Sequence, residues 1–506
     1  MMKSLLSLGL VIGLFLTASC QPNLNKLDAY IEKARLDWNV PGMSVAIVKD
    51  GKIVLSKGYG VKEQGKTEAV DANTLFAIAS NTKAFVSSSL ATLVASGQMH
   101  WDDKVVDYLP YFQLQDPYAT REATIRDLLC HRLGLGTFSG DVSWYKSDLP
   151  ASEVIKRAYH LQPTYSFRSG YGYSNLMFIA AGEVIRATTG KPWDAYVDSV
   201  FFTPLGMERT CTSVSSLGLL GNVATPHKSV GSSNQPIDWT RWDNMGAAGG
   251  IISSSQDMAQ WLLFNLNRGT WEGKSILSAV EQNILWTPHN SFVVSQDVHQ
   301  RIPGRHFNAY GLGWGLSDYY GRMLVSHSGG YDGMYSRVAL VPDENLGIVI
   351  LTNSMTGIGF PLMMYIINSY IHGDDRDWSA DFLAQKSEKI EDLVKERQAS
   401  RKMGTSPTLE LEKYCGNYFD PIHGKIFIQQ KDDNLRLVFE NAPGLSATLR
   451  HWHADTWEIK WDQVHAWFDF GTIRFELDNN LAVTGIRFDV PNFDIFFDEL
   501  KPGKID

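Results

Sequence analysis

Between residues 72 and 101 the chain carries a single charged side chain, Lys83. A stretch of that length with no other Asp, Glu, Arg or Lys has nothing to hold it at a surface, so it must run through the middle of a core. Any fold available to this chain therefore buries one element on all sides and also tolerates an ammonium there. Residues 81 to 97 read as a helix that begins at Ser80 and stops at Gly97. The tetrapeptide Ser80-Asn81-Thr82-Lys83 then stacks Lys83 one turn above Ser80 on the same face. A neutral amine so placed can take the serine proton. The S-x-x-K pattern alone is weak: Ser143-Trp144-Tyr145-Lys146 also matches it, and a lysine snorkelling from a core helix is the plain alternative. The two matches differ in context. Ser143 sits among Asp141, Lys146 and Asp148 in a loop-like stretch, whereas Lys83 stands alone among apolar neighbours.

The rest of the chain can supply such a core. At 506 residues it exceeds what one core organises, so two or three units are expected, and 44% apolar residues with 15 Trp give ample packing material. A net charge of −9 and the lack of any basic run exclude nucleic acid as a partner. Leu24, Leu27, Ile31, Ala34 and Trp38 mark an amphipathic helix closed by Pro41 and Gly42. Two β-rich runs flank Asp50-Gly51, a hairpin signal. Strand-like runs return at residues 322–330, 334–343 and 346–354, with a long mixed region between. Strands at both ends with helices between predict one sheet assembled from distant parts of the chain, an α+β arrangement over residues 20–375. Residues 376–406 are charged and helical in pattern and end in a linker. From 407 to 506 the runs KIFIQQ, LRLVF, WEIKW, AWFDF, TIRFEL, TGIRFD and FDIFF alternate apolar and polar residues, which predicts a small antiparallel barrel or sandwich.

The first residues are a targeting segment. Residues 1–19 have one lysine, an apolar run and then small residues, the pattern of a signal peptide, and Leu16-Thr17-Ala18-Ser19-Cys20 resembles a bacterial lipoprotein cleavage site. That resemblance implies a lipidated Cys20 and an exported protein held to a membrane by its acyl chains, facing the periplasm from a Gram-negative outer membrane; an ordinary secretory signal is the alternative. Cys130, Cys211 and Cys415 remain, odd in number and too sparse for a disulfide framework.

Two further motifs stand in order after the first: Tyr173-Ser174-Asn175, a Y-x-N, and His327-Ser328-Gly329, an H-x-G. With TIRDLLCHRLGL at 124–135 and AAGGIISSSQDMAQWL at 247–262, the chain from 24 to 372 resembles the serine β-lactamase and penicillin-binding superfamily, in its branch of class C β-lactamases, D,D-carboxypeptidases and esterases. The resemblance implies a β-lactamase/transpeptidase-like fold, an antiparallel sheet flanked by helices with an all-helical region. It implies roles as well. Ser80 would be the nucleophile, Lys83 its base and Tyr173 the residue that shares the proton traffic. Asn175 would bind Lys83 and the substrate's acyl amide, His327 and Gly329 would border the substrate, and the backbone N–H groups of Ser80 and Gly330 would form the oxyanion hole. An unshifted lysine is neutral only about once in 2,500 molecules at pH 7, a handicap of roughly 4.6 kcal/mol that burial can reduce.

His327 stands where many relatives have the Lys of K-T-G, which weakens any fixed cation for a substrate carboxylate. Residues 407–506 resemble the lipocalin-like barrel appended to some peptidases of this branch, which implies capping of the site or assembly of a homo-oligomer. Trp452, Trp457, Trp461 and Trp467 there read either as barrel core or as a ligand surface. No metal or cofactor motif appears. The expectation is an exported serine hydrolase that cleaves amide or ester bonds of a small-molecule or peptide substrate through a Ser80 acyl-enzyme, a peptidase for D-amino-acid peptides or cell-wall fragments. The alternatives are a carboxylesterase or weak β-lactamase, and a non-catalytic penicillin-binding or carbohydrate-binding lipoprotein.

Overall fold

The structure is a computed structural model that describes residues 22–231, 233–374, 376–385 and 389–505. The expected signal peptide and Cys20 lie outside the described residues. Strand β1 (Gly42–Lys49) turns at Asp50 and Gly51, both with positive φ, into β2 (Lys52–Gly60). Asp-Gly suits this two-residue turn because both central positions need the left-handed region. On its other side β1 pairs with a strand from the far end of the sequence, Leu346–Thr352, in the register Val45 to Ile350. With β3 (Asn290–Phe292), β4 (Asn308–Tyr310), β5 (Gly315–Tyr319), β6 (Arg322–Tyr331), β7 (Met334–Val341) and β8 (Leu346–Thr352), this makes one sheet in the order β2-β1-β8-β7-β6-β5-β4-β3. All its pairings are antiparallel.

Both faces of the sheet are covered, and the two-residue period of β1 shows it. Val45 and Ile47 pack against helices α1 (Leu24–Asp37) and the one at Gly359–Ile371, while Ala46 and Val48 face the helical region. That region surrounds α2 (Thr82–Ala95), which is buried from Thr82 to Ala91 without a break. A helix apolar all round has nowhere else to go. The charge-free window thus becomes the central helix, entered through a 3₁₀ turn at Ala79–Asn81 and left at Gly97 with φ of 72°.

After two connector helices, Trp378–Leu383 and Lys389–Ala399, eight strands between Gly416 and Lys504 close into a barrel. Two runs expected as strands are not. Residues 466–470 form no strand and residues 493–496 none either, with a 3₁₀ turn at Phe497–Glu499. Their apolar side chains are there because these loops are packed in: Phe468 meets Tyr145 of the helical region, Ile495 is buried, and Phe497 packs on Phe439, Trp461 and Phe488 of the barrel. The four tryptophans form no exposed ledge: Trp457 meets Tyr414 and Phe475 edge to face inside the barrel, Trp452 lies under the Arg401 guanidinium, and none of the four is exposed. Cys130, Cys211 and Cys415 are free thiols.

The barrel is fastened to the body by a buried ammonium. Lys228 Nζ donates to the carbonyls of His465 and Phe468, the latter at 3.0 Å, and meets Asp469 at 2.5 Å. Burial costs this charge solvation, and the three oxygens offset it. Replacing Lys228 with Ala leaves two barrel carbonyls without a donor, so the docking should weaken by about 1.5–3 kcal/mol. The expected outcome is faster proteolytic release of the barrel, with little change in the melting of the body.

Candidate active site

The nucleophile turn is held from both sides. Ile78 N–H donates to Ile251 O at 3.0 Å, and Ser336 Oγ on β7 donates to Ile78 O at 2.7 Å while accepting Asn81 Nδ2 at 2.8 Å. Ala79, just before Ser80, has φ of 47°, an uncommon conformation for a residue with a Cβ and one that sites of chemistry often hold. The turn sets Ser80 at the mouth of a cavity of about 560 Å³.

Lys83 is fully buried behind it. Its Nζ lies 2.8 Å from Ala248 O, 2.7 Å from Asn175 Oδ1 and 3.0 Å from Ser80 Oγ. The first two oxygens can only accept, so they take two N–H bonds; the third direction, toward a hydroxyl that can donate, suits the amine lone pair. Burial drives the lysine well below its ordinary proton affinity, opposed by the charge of Asp141. A neutral amine aimed at a serine is a general base in place. Ala248 comes from the 247–262 segment, which carried part of the family resemblance and was given no place in the site.

Asn175 opens α3 (Asn175–Thr189) and is fixed at both ends of its amide. Nδ2 donates to Asp141 Oδ2 at 2.6 Å, which leaves Oδ1 for Lys83. The Tyr173 ring centroid is 4.6 Å from Lys83 Nζ, and its hydroxyl, shut away from solvent, faces Ser80 without completing a hydrogen bond. His131 clamps this loop, accepting Ser174 N–H on Nδ1 at 3.1 Å and Gly172 N–H on its carbonyl at 3.0 Å.

His327 is buried with both ring nitrogens engaged, Nδ1 with Ser328 O at 2.6 Å and Nε2 with Tyr310 Oη at 2.9 Å. A carbonyl only accepts, so Nδ1 carries the proton and Nε2 takes the Tyr310 hydroxyl. Burial and the nearby Lys83 push the imidazole down to about 3, so it stays neutral. Tyr310 was invisible in the motifs. Arg337, across the ladder from Ser328, is the cation that lines this side of the cavity, and burial pulls it down to about 10.

Gly329 and Gly330 run beside the nucleophile. A Cβ on Gly329 would lie 2.2 Å from Ile78 O and 3.0 Å from Ala79 Cβ, so only glycine lets β6 pass so close to the Ser80 turn. The ladder between β5 and β6 ends at Ser326, whereas that between β6 and β7 runs on to Tyr331. Among the described residues, 327–330 therefore line the cavity with no strand beside them on that side, the Ser328 carbonyl being taken by His327 Nδ1. The barrel supplies part of the wall: Trp467, Asp494 and Ile495 line the same cavity as Phe138, Trp144 and Trp242 of the body. Every motif residue named from the sequence, Ser80, Lys83, Tyr173, Asn175, His327, Gly329 and Gly330, falls within this one site; Asp141, Tyr310, Ala248 and the barrel residues were missed, because each is brought in by tertiary folding alone. Ser143, of the second S-x-x-K, is buried and donates to Gly140 O at 2.7 Å.

The sheet, the buried lysine behind a serine turn and the bordering strand define a serine hydrolase of the penicillin-recognising fold. The chain belongs to the β-lactamase family, whose model matches residues 27–365; a domain of unknown function, DUF3471, matches residues 400–503. It is 30% identical over 434 residues to the unguisins hydrolase ungD' of Aspergillus campestris, across 79% of this chain and 77% of that one. In fold it is similar to the octameric penicillin-binding protein homologue from Pyrococcus abyssi, with a TM-score of 0.60 at 19% identity over 95% of this chain and 100% of that one. It is likewise similar to the D-amino acid amidase from Ochrobactrum anthropi SV3, with a TM-score of 0.55 at 23% identity over 71% and 99% of the two chains.

Gly329→Ala should push β6 off the nucleophile turn. We expect at least a 10²-fold loss of acylation, about the cost of a 1 Å misplacement at a reacting centre, with the fold retained by circular dichroism.

Proposed function

We propose that this protein is a peptidase that cleaves amide bonds of peptides, those with D-residues or cell-wall fragments among them, through an acyl-enzyme on Ser80. The observation that carries the reading is the Lys83 amine, with two contacts to obligate acceptors and the third at 3.0 Å from Ser80 Oγ. Ser80 Oγ attacks the substrate carbonyl as its proton passes to Lys83. The proton then reaches the leaving amine by way of Tyr173, and water hydrolyses the ester with the same groups acting in reverse. The backbone N–H groups of Ser80 and Gly330 are the donors for the oxyanion. An extended peptide laid along the open edge of residues 327–330 completes the interrupted ladder, and this favours a peptide over a compact ester. The name of one similar structure, an amidase of D-amino acids, agrees with amide substrates.

Intact-mass detection of a fluorophosphonate adduct tests the mechanism. Ser80→Ala should form none, and Lys83→Arg should be slowed by at least about 10²- to 10⁴-fold, since a guanidinium keeps its proton. Equal labelling of Lys83→Arg and the parent would end the reading. Because burial lowers the proton affinity of Lys83, labelling should rise as pH climbs through that lowered value, well short of the range of free lysine, and level off above it. Side-by-side turnover of D-amino-acid amides, peptides, short-chain esters and penicillins decides the substrate class; esters or penicillins turned over faster than every amide would overturn the peptidase assignment.

We also read the chain as an exported lipoprotein, from the pattern of residues 1–19 and Cys20. Metabolic labelling with an alkyne fatty acid should mark the parent and leave Cys20→Ala unmarked.

A further inference from the structure

One buried carboxylate at the site belongs to none of the motifs. Asp141 is 2% exposed, and its oxygens accept Trp144 Nε1 at 2.8 Å and Asn175 Nδ2 at 2.6 Å. Neither donor carries charge. Among the described residues Asp141 therefore has no cation in contact, and Lys83 lies one amide away through Asn175. Burial pushes the Asp141 carboxyl up to about 8, against the pull of its two donors and of Lys83, so it carries charge at a cost in solvation that is offset when a cation appears nearby. Lys83 acquires such a charge each time it takes the Ser80 proton.

The segment that carries Asp141 is shaped for the purpose. Phe138 and Gly140 both have positive φ, of 62° and 82°, and Phe138 N–H donates to Tyr173 O at 2.8 Å. A Cβ on Gly140 would lie 2.5 Å from Leu161 Cδ1, so the turn is packed tight. It is then tied down by the barrel. Glu499 accepts Ser139 Oγ at 2.5 Å on one oxygen and Gly140 N–H at 2.7 Å on the other. A continuous series of contacts thus leads from Glu499 to residues 139–140, to Asp141, to Asn175 and to Lys83.

We propose that Asp141 is a positioning residue for acylation, which orients the Asn175 amide toward Lys83 and supplies the counter-charge for the lysine when it is protonated, and that the barrel's Glu499 holds Asp141 in that place. The inference rests on the reading of Lys83 as the base. It extends that reading to a second unit of the chain, for the barrel then takes part in setting the proton affinity of the base.

The groups facing the pair are few. Tyr173, His131 and His327 surround Lys83, the two imidazoles neutral through burial, and Asp494 of the barrel is the other acid near Asp141. The test is the pH dependence of fluorophosphonate labelling, with thermal melts alongside. Asp141→Asn keeps the shape and removes the charge, so the ammonium of Lys83 is less favoured. The midpoint of the labelling profile should then move to lower pH, and the plateau rate should fall because one of the two contacts now opposes two donors. Asp141→Ala should lose about 10²-fold in rate, the scale of a misplaced catalytic group. Glu499→Ala should reproduce part of that loss in the parent and add nothing in the Asp141→Ala background, since two groups acting through one path are not additive.

A purely structural Asp141 would slow labelling or lower the melting temperature while leaving the pH midpoint where it was, and that result overturns the proposal. So does an effect of Glu499→Ala of equal size in both backgrounds. If the parent protein is not labelled at Ser80 at all, the failure lies with the acyl-enzyme reading instead.

Discussion

The structure depends on keeping an amine dry. Lys83 sits in a helix buried on every side, and the cost of removing an ammonium from water is what holds its proton affinity down. Most of the surrounding architecture serves that end. The sheet brings the two ends of the hydrolase region together so that β7 can hold the nucleophile turn, α3 delivers Asn175, and residues 246–250 turn a carbonyl inward. Each gives the amine an oxygen or keeps water out. A solvated lysine at the same spacing from Ser80 would be a surface residue and nothing more.

Much of this was legible before any coordinates. The absence of charge around Lys83 spoke of burial, and burial is a property that composition carries directly. The Asp50-Gly51 hairpin and the strand runs at 322–354 followed from local turn chemistry and period, so the antiparallel sheet and its closing neighbours could be expected. What stayed hidden is non-local. Asp141 lies 34 positions from Asn175 and Glu499 lies 359 from Gly140, and no periodicity links such pairs. The misread strands at 466–470 and 493–497 have the same origin, because a loop buried by tertiary packing is as apolar as a barrel strand. His327 shows another limit: its place beside the substrate could be expected from the H-x-G pattern, but its neutrality depends on Tyr310 and the Ser328 carbonyl.

The barrel and the body share more than a linker. Lys228 reaches into the barrel, Glu499 reaches back into the body, and the walls of the cavity come from both. The apolar cores run together, so that residues from Tyr414 to Leu500 continue the packing of the helical region. A substitution among the lining residues of either unit therefore changes the shape of the cavity.

The open edge of β6 has a cost beyond catalysis. A row of unpaired N–H and C=O groups in a folded sheet is a template for any extended chain, including a partly unfolded copy of the same protein. Proteins usually blunt such edges with charge or proline, and Ser328, Gly329 and Gly330 supply neither. Here Trp467 stands over Gly330, close enough that a Cβ there would be 3.0 Å from its ring. The barrel loop thereby covers the strand at Gly330. The wall that the barrel adds to the cavity thus leaves less of that edge open to a second chain.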